Sequence, residues 1–239
     1  MTERDNLIQR IWKALCPPSA NAGQRAVRPR RATAAESRPV LVVVEGGNDI
    51  EFLRRASVIL HAEDAALPVL SHLERRGRIV FVPVGGDPRN WIFRFAKLGC
   101  PEFHLFDRES PPATDIRYES ARIINLRADC RAAITSKRSI ENYLHRDAIF
   151  EVRGVEVHFS DDDDVADLVA DRSFRLQHPD QLWSELSART RRRLRNRAKS
   201  WLNTLAVDRM TAARFAERDP DGEIRGWLLL IADLAGGSS

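Results

Sequence analysis

The chain has 239 residues, of which 43% are hydrophobic and 30% are charged, and its formal net charge is +4. A chain of this length can bury one core with a smaller helical appendage, and no apolar run reaches the roughly 20 residues that span a membrane. The three cysteines are widely spaced and form no CxxC motif, which argues against a disulfide framework or a zinc site. We therefore expect a cytoplasmic protein that does not associate with membranes.

Residues 1–37 are predicted to form a short helix followed by a basic linker. Apolar residues at helical spacing predict the helix over residues 3–15, and the stretch after it is rich in Pro, Ala and Arg without periodicity. Residues 1–40 carry eight Lys or Arg against three Asp or Glu, so the positive charge of the chain is concentrated there. We interpret the linker as a flexible connector, with an arm that touches phosphate as the alternative.

From residue 38 the pattern changes, and we assign residues 38–150 to a core domain. Apolar runs predict buried strands at residues 40–44, 79–84, 102–106 and 122–126. Helical spacing follows the first strand over residues 49–60, and a second helix is predicted over 87–99, between Asp87-Pro88 and Gly99. Strands that alternate with helices predict an α/β fold with a parallel sheet flanked by helices.

Residues 151–239 are predicted to form a helical C-terminal extension, with helices over residues 178–207 and 221–235. Within it, residues 189–199 (RTRRRLRNRAK) contain seven basic residues and no acid. On a helix several of these cations share one face, which suits the backbone of a nucleic acid, and a merely solvated face is the alternative. The residues assigned to this face are Arg191, Arg192, Arg195 and Lys199.

Four acidic residues are expected to meet at one edge of the predicted sheet. Glu45 and Asp107 each follow a strand directly, Asp49 lies in the first turn of the next helix, and Glu109 lies on the same side as Asp107 if the chain stays extended. The carboxyl ends of parallel strands line the crevice where ligands bind to open α/β sheets. Glycines at residues 46–47 permit a tight turn that brings Asp49 back beside Glu45.

Carboxylates placed this close raise one another's pKa, and a bound divalent cation removes the conflict. Oxygen ligands favour Mg²⁺ or Mn²⁺ over zinc. Together with a basic arm and a basic helix, the acids predict metal-assisted chemistry on a phosphodiester. The alternative is that Glu45 and Asp49 only cap a helix and that Asp107 only opens a turn.

Three stretches of the chain resemble the Toprim domain, the fold shared by topoisomerases, bacterial primases and OLD-family nucleases. They are VVVEGGNDIEFL (42–53), FHLFDRES (103–110) and SKRSIENYL (136–144). The resemblance covers about residues 40–145 and is strongest for the nuclease part of OLD-family endonucleases. It implies a Toprim-like parallel sheet in which Glu45 is the strand-terminal glutamate and Asp107-Arg108-Glu109 takes the place of the Asp-x-Asp motif.

The resemblance also implies roles for individual residues. It makes Glu141 a further metal ligand, and it places Lys137 or Arg138 against the substrate phosphate. The implied catalytic residues are Glu45, Asp107 and Lys137. The acids at the sheet edge and the resemblance together predict Glu45, Asp49, Asp107, Glu109 and Glu141 as metal ligands. Arg138 joins the basic helix in the predicted contact with nucleic acid.

The activity that the resemblance implies is metal-dependent hydrolysis of nucleic-acid phosphodiesters by an endonuclease, with DNA favoured over RNA. Such an enzyme would act as an effector in antiviral defence or DNA maintenance. OLD proteins usually carry an ATPase domain, but this sequence has no GxxxxGK[ST] motif, so the expected partner for any ATP-driven step is a separate ATPase subunit. The sequence is compatible with a homo-oligomer as well as with a monomer.

One departure from the Toprim pattern supports a different function. Glu109 stands where the family has a second Asp, and its extra methylene shifts or weakens a bound metal. The alternative function is a non-catalytic nucleic-acid-binding or regulatory module with a degraded site. A primase or RNA-processing enzyme is a third, although the zinc motif and extra domains expected of a primase are not visible.

Overall fold

The computed structural model describes residues 38–236, so the predicted helix over residues 3–15 and most of the basic linker lie outside the described part of the chain. Within it the strands are β1 (Val40–Val44), β2 (Ile79–Pro83), β3 (Glu102–Phe106) and β4 (Cys130–Ile134). They form an all-parallel sheet in the order β2-β1-β3-β4.

Helices follow or precede every strand. The α-helices are α1 (Gly47–Glu63), α2 (Leu70–Arg75), α3 (Ala113–Asn125), α4 (Arg146–Arg153), α5 (Val165–Gln177), α6 (Ala188–Trp201), α7 (Ala212–Arg218) and α8 (Glu223–Gly236). Short 3-10 segments lie at Pro88–Asn90, Ala96–Leu98, Ile140–Tyr143, Trp183–Glu185 and Val207–Arg209. A π-helical segment, Leu202–Ala206, continues α6 directly.

The buried centre of the sheet is formed by the apolar run of β1. Every residue of β1 is at most 1% exposed, because β1 pairs with β2 on one side and with β3 on the other while helices cover it. A strand buried on both faces needs a continuous apolar sequence, and VLVVV supplies one. The prediction of an α/β fold with a parallel sheet flanked by helices is confirmed, as are the strands at 40–44, 79–84 and 102–106, of which the second ends one residue early.

The predicted strand at residues 122–126 is wrong, because this stretch belongs to α3. Its isoleucines favour a strand locally, but Arg117, Ala121 and Ile124 recur at helical spacing and are buried on one face. Ile124 packs with Phe106 of β3 and Cys130 of β4. Contact with the sheet therefore decides the conformation.

The fourth strand is β4 (CRAAI), a sequence of weak strand propensity at the edge of the sheet. Its backbone pairs with β3 on one side. On the other side the Asn125 side chain takes the place of a neighbouring strand: its Oδ1 accepts from the Ala132 N–H at 2.8 Å, and its Nδ2 donates to the Ala132 carbonyl at 3.1 Å. Tertiary hydrogen bonding thus overrides local preference.

The helix predicted over residues 87–99 is also wrong, since only two 3-10 turns form there. Both predicted boundaries are present: the Asp87 side chain accepts from the Arg89 N–H at 2.9 Å, and Gly99 has a φ of 60°. Between them Ile92 is buried while Phe93 is 63% exposed, so the apolar residues do not share one helical face. Similarly, the helix predicted over 178–207 begins only at Ala188.

The C-terminal helices pack into the same hydrophobic core as the sheet. This core joins Val42 of β1, Phe52 of α1, Trp201 of α6 and Leu228 of α8. The predicted domain boundary at residue 150 stays a prediction. Of the helices in residues 38–236, none has the length and apolar character needed to cross a bilayer.

Candidate metal centre

Three carboxylates meet at the carboxyl edge of the sheet. Oxygen atoms of Glu45, Asp107 and Glu109 lie within 4.8 Å of one another. Glu45 follows β1 and Asp107 follows β3, and because these strands pair in parallel their carboxyl ends emerge side by side. Glu45 is partly exposed, with its side chain 30% accessible, whereas Asp107 is buried. The three form one part of a larger acidic cluster, in which Glu45 and Glu109 are partly exposed and Asp107 is buried.

Asp49 lies below them, buried in the first turn of α1. Its Oδ2 accepts a hydrogen bond from the Gly46 N–H at 2.7 Å, which folds the side chain back over the strand end. The turn does not require glycine, contrary to the expectation from sequence: Gly46 has an extended φ of −159°, and a Cβ at Gly46 or Gly47 would meet no atom within 4 Å. The two glycines instead leave open space beside the acids.

Glu141 is the deepest acid of the cluster and is fully buried. It lies in the 3-10 segment Ile140–Tyr143, and the N–H of Ile140 donates to Asp107 Oδ1 at 2.9 Å. Glu141 Oε1 accepts from Asn203 Nδ2 at 2.8 Å. Its Oε2 is buried and has no hydrogen-bond partner among the described residues. An unpartnered buried carboxylate oxygen is costly, and a bound cation would satisfy it.

Glu109 has a left-handed backbone, with a φ of 58°. For a residue other than glycine this conformation costs roughly 1–2 kcal/mol. Its N–H donates to the Arg138 carbonyl at 2.8 Å, which helps to hold the strained turn. The chain is therefore not extended at this point, yet the Glu109 carboxylate still reaches Asp107. Strain of this kind is concentrated at functional sites, and here it places a carboxylate.

Arg117 of α3 is a site residue that the sequence analysis missed. Its Nη2 and Nε donate to Glu45 Oε1 at 2.9 and 3.3 Å, and the residue is only 9% exposed. These bonds use one oxygen of Glu45 and leave Oε2 for another partner. No signal pointed to Arg117, because assigning residues 122–126 to a strand concealed the helix that carries it.

Two further site residues are Lys199, near the end of α6, and Asn203, in the π-helical segment that continues α6. Lys199 Nζ lies 3.4 Å from Glu141 Oε1, and Asn203 Nδ2 donates both to Glu141 and to the Lys199 carbonyl. Asn203 belongs to the π-helical segment Leu202–Ala206, and such segments are frequent at functional sites. Asn203 was not predicted, although a lone amide in the apolar run WLNTLA is a detectable signal. Lys199, predicted to contact nucleic acid, is partly exposed, with 21% of its side chain accessible, and its ammonium group lies beside Glu141.

Burial and mutual repulsion raise the pKa of the acids. For Asp107 burial is the main cause, followed by the charges of Asp49, Glu45 and Glu141, and its pKa is well above the ordinary value. Burial and then the charge of Glu141 raise the pKa of Asp49 to about 7. Burial also raises the pKa of Glu45, against the opposing effect of Arg117.

Lys199 shows the opposite balance. Burial lowers the pKa of its ammonium group, but the charges of Glu141, Asp107 and Asp49 outweigh burial, and the net pKa is raised. Lys199 therefore stays charged and is the cation on which the buried acids depend.

The other predicted phosphate contacts lie outside the acidic cluster. Lys137 Nζ is 2.7 Å from Asp161 Oδ1 and 5.5 Å from the centre of the Tyr143 ring. Arg138 Nη2 is 3.6 Å from Asp164. The structure thus pairs both cations with the loop before α5. Their catalytic and binding roles stay predictions.

The predicted cations of α6 divide into paired and unpaired residues. Arg195 donates to Asp164 through Nη2 at 2.8 Å and Nε at 3.1 Å. Arg191 and Arg192 form no ion pair with a carboxylate of residues 38–236, although the charge of Arg191 acts on Asp167. A contact between these two arginines and nucleic acid stays a prediction.

The acids outnumber the cations that contact them. Five carboxylates (Glu45, Asp49, Asp107, Glu109 and Glu141) face two cations, Arg117 and Lys199, which leaves an excess of three negative charges when all are ionised. A divalent cation would reduce this excess to one. With an oxygen-only donor set and an unpartnered oxygen on Glu141, the cluster fits a hard divalent ion.

The fold and the cluster define an α/β protein with a candidate divalent-metal site at the carboxyl edge of a parallel sheet. No protein-family model, curated protein or solved structure matches this chain.

Proposed function

We propose that this protein is a metal-dependent nuclease of Toprim type that hydrolyses nucleic-acid phosphodiesters, with DNA favoured over RNA and with Mg²⁺ or Mn²⁺ as cofactor. The observation that carries the proposal is the meeting of Glu45, Asp107 and Glu109 at the ends of paired parallel strands. The unpartnered Oε2 of buried Glu141 behind them supports it.

Glu45, Asp107 and Glu109 would hold the ion, with Asp49 and Glu141 beneath them. When bound, the ion would polarise a phosphoryl oxygen and lower the pKa of a coordinated water. Its presence would also neutralise the repulsion that raises the pKa of the acids.

Neighbouring residues of the chain hold the carboxylates of the cluster in fixed orientations. Arg117 fixes Glu45 through two hydrogen bonds to one oxygen, and the N–H of Ile140 fixes Asp107. Asn203 and Lys199 fix Glu141. Ligands held in this way need no reorganisation when charge develops on the reacting phosphate.

The open face of the cluster suits a bulky substrate. Glu45 and Glu109 are partly exposed, and no atom lies within 4 Å of a Cβ position at Gly46 or Gly47. A sugar–phosphate backbone could approach there. The net positive charge of the chain and the unpaired Arg191 and Arg192 of α6 support a polyanionic substrate. A separate ATPase subunit remains the proposed partner for any ATP-driven step.

The test measures metal binding and cleavage separately. Mn²⁺ binding is followed by the EPR signal of free Mn²⁺, and cleavage by nicking of supercoiled plasmid and degradation of single-stranded RNA with Mg²⁺ or Mn²⁺. We expect Glu45→Gln and Asp107→Asn to weaken metal binding and cleavage by about 100-fold. Glu119→Gln removes an exposed carboxylate of α3 outside the cluster and should leave both unchanged.

Each result has a distinct meaning. Metal binding that is equal in the wild type and in Asp107→Asn would overturn the metal centre. Site-specific metal binding without cleavage of DNA or RNA, alone or with an ATPase subunit, would favour a non-catalytic nucleic-acid-binding or regulatory module. One observation supports this second function: the ion pair with Arg117 already neutralises Glu45, which is one of the three carboxylates proposed to hold the ion.

A further inference from the structure

A second site of opposite charge lies between α5 and α6. A cavity of about 610 Å³ opens between these helices and the end of α4. This volume is within the range of small-molecule sites, roughly 300–1,000 Å³. We call it the α5–α6 pocket, and the lining residues that matter here are Arg153, Ser173, Phe174, Arg193, Arg197 and Trp201.

The charge of the α5–α6 pocket is positive and unbalanced. Arg153, Arg193 and Arg197 line it, together with His178, and the lining contains no Asp or Glu. None of the three arginines forms an ion pair with a carboxylate in the described part of the chain. Arg193 and Arg197 are four residues apart on α6, so their guanidinium groups share one face, where like charges repel each other. An anion between them would remove this repulsion.

The same helix shows that its cations pair wherever a carboxylate is offered. Arg195 donates two hydrogen bonds to Asp164, and Lys199 lies beside Glu141. These two residues face other elements of the protein, whereas Arg193 and Arg197 face the pocket. The pocket arginines are therefore unpaired because the fold brings them no acid.

The floor of the pocket is apolar and aromatic. Phe174 and Trp201 line the cavity although both are largely buried, and the small side chains of Ala170 and Ala198 line it as well. The guanidinium of Arg153 lies 5.4 Å from the centre of the Trp201 ring. A ligand with a flat apolar part and an anionic part would match both surfaces.

One buried hydroxyl in the pocket has no partner. Ser173 Oγ is inaccessible to solvent and forms no hydrogen bond with any described residue. Buried hydroxyls are normally hydrogen-bonded, often to a carbonyl of the preceding helical turn. Ser173 lines the cavity, and because its Oγ has no accessible surface, the hydroxyl reaches a ligand only after the side chain rotates about χ1.

From these observations we propose that the α5–α6 pocket binds the phosphate ester of a nucleoside. The phosphate contacts Arg193 and Arg197, because guanidinium groups match phosphate oxygens in bidentate geometry. The base lies toward Phe174 and Trp201, and the Ser173 hydroxyl forms a hydrogen bond with the nucleotide. The nucleotide is either free in solution or the 5′-phosphorylated end of a strand, and both present the same chemistry. This site is separate from the acidic cluster and does not depend on the nuclease proposal.

The experiment is calorimetric titration of the full chain in 150 mM salt without divalent metal. The probes are AMP, GMP, adenosine, inorganic phosphate and a 5′-phosphorylated dinucleotide. We expect at least one phosphorylated nucleoside to bind more tightly than adenosine and inorganic phosphate. Arg193→Gln combined with Arg197→Gln should weaken this binding by roughly 100-fold, because it removes charged hydrogen bonds to the phosphate. Ser173→Ala should weaken it by only a few-fold, because a neutral hydrogen bond contributes less than a charged one.

The matched control is Arg172→Gln, which removes an exposed arginine of α5 that does not line the pocket and should leave binding unchanged. Binding of mononucleotides assigns the site to free nucleotide, and binding of the dinucleotide alone assigns it to a strand end. No binding by any probe below about 1 mM, or equal binding by the double variant, would overturn the proposal. Inorganic phosphate binding as tightly as AMP would overturn the role of the aromatic floor.

Discussion

The cations of helix α6 lie in two regions of the molecule that have opposite charge. At the acidic cluster, Lys199 enters a group of carboxylates that exceeds its cations, while Arg193 and Arg197 enter the α5–α6 pocket, which has no acid. The residue types are alike, and all three residues lie within two turns of one helix. The elements that pack against α6, rather than the basic run itself, therefore decide which of its cations are structural and which are available to a ligand.

The largest expected effect is on the cation inside the acidic cluster. Lys199→Met should lower the free energy of unfolding by about 3 kcal/mol at pH 8 without divalent metal, because it leaves the buried Glu141 facing only Asn203. Urea denaturation measures the change. Lys97→Met, at an exposed lysine, is the control. A wild-type midpoint in Lys199→Met would show that the acids do not depend on Lys199.

The second effect depends on pH. Asp49 has a pKa of about 7 in the folded protein against an ordinary 3.8, so the folded state binds more protons and its stability falls as the pH rises from about 4 to 7. Asp49→Asn removes this loss and keeps an acceptor for the Gly46 N–H. We expect it to stabilise the metal-free protein at pH 8, on the order of 2–4 kcal/mol, and to have no effect below pH 4.

Thermal unfolding across this pH range, without and with Mg²⁺, is the measurement for Asp49→Asn. Exposed Asp180→Asn should show no such pH dependence. If the stability difference between Asp49→Asn and wild type were the same at pH 4 and at pH 8, the pKa of Asp49 would not be raised by burial and by the charge of Glu141.

A smaller effect compares two cations of α6 directly. Arg195→Gln removes two hydrogen bonds to the partly buried Asp164 and should cost about 1–2 kcal/mol. Arg193→Gln removes no ion pair and should change the free energy of unfolding by less than about 0.5 kcal/mol. Chemical denaturation of both variants tests the contrast. Equal losses would mean that Arg193 has a partner in the folded protein.

The smallest effect concerns backbone strain at Glu109. Glu109→Gly should raise stability by up to about 1 kcal/mol, because glycine adopts a positive φ without penalty, and it should also abolish Mn²⁺ binding. Asp129 has a φ of 55° outside the cluster, so Asp129→Gly should give a similar gain with unchanged metal binding. Tight Mn²⁺ binding by Glu109→Gly would remove Glu109 from the proposed ligands.

The prediction of the sheet from sequence succeeded for β1, β2 and β3, which carry runs of strand-forming residues, and failed for β4, which does not. VLVVV and EFHLF predict buried strands, and Glu45 and Asp107 then follow at the same edge. β4 is half exposed and lacks strand-forming residues, so no local pattern distinguishes it from a loop. Its pairing depends on β3 and on the Asn125 side chain.

The site shows the same division. Local sequence is enough to place Glu45 and Asp107 at strand ends, because apolar runs must be buried and their polar ends must lie at the sheet edge. It does not specify the partners of the acids, which the packing of the elements sets: Arg117 pairs with Glu45, Lys199 and Asn203 contact Glu141, and Lys137 pairs with Asp161. Ion pairs form between elements far apart in the chain, and their distances follow from how helices pack on the sheet, which no local spacing of residues encodes.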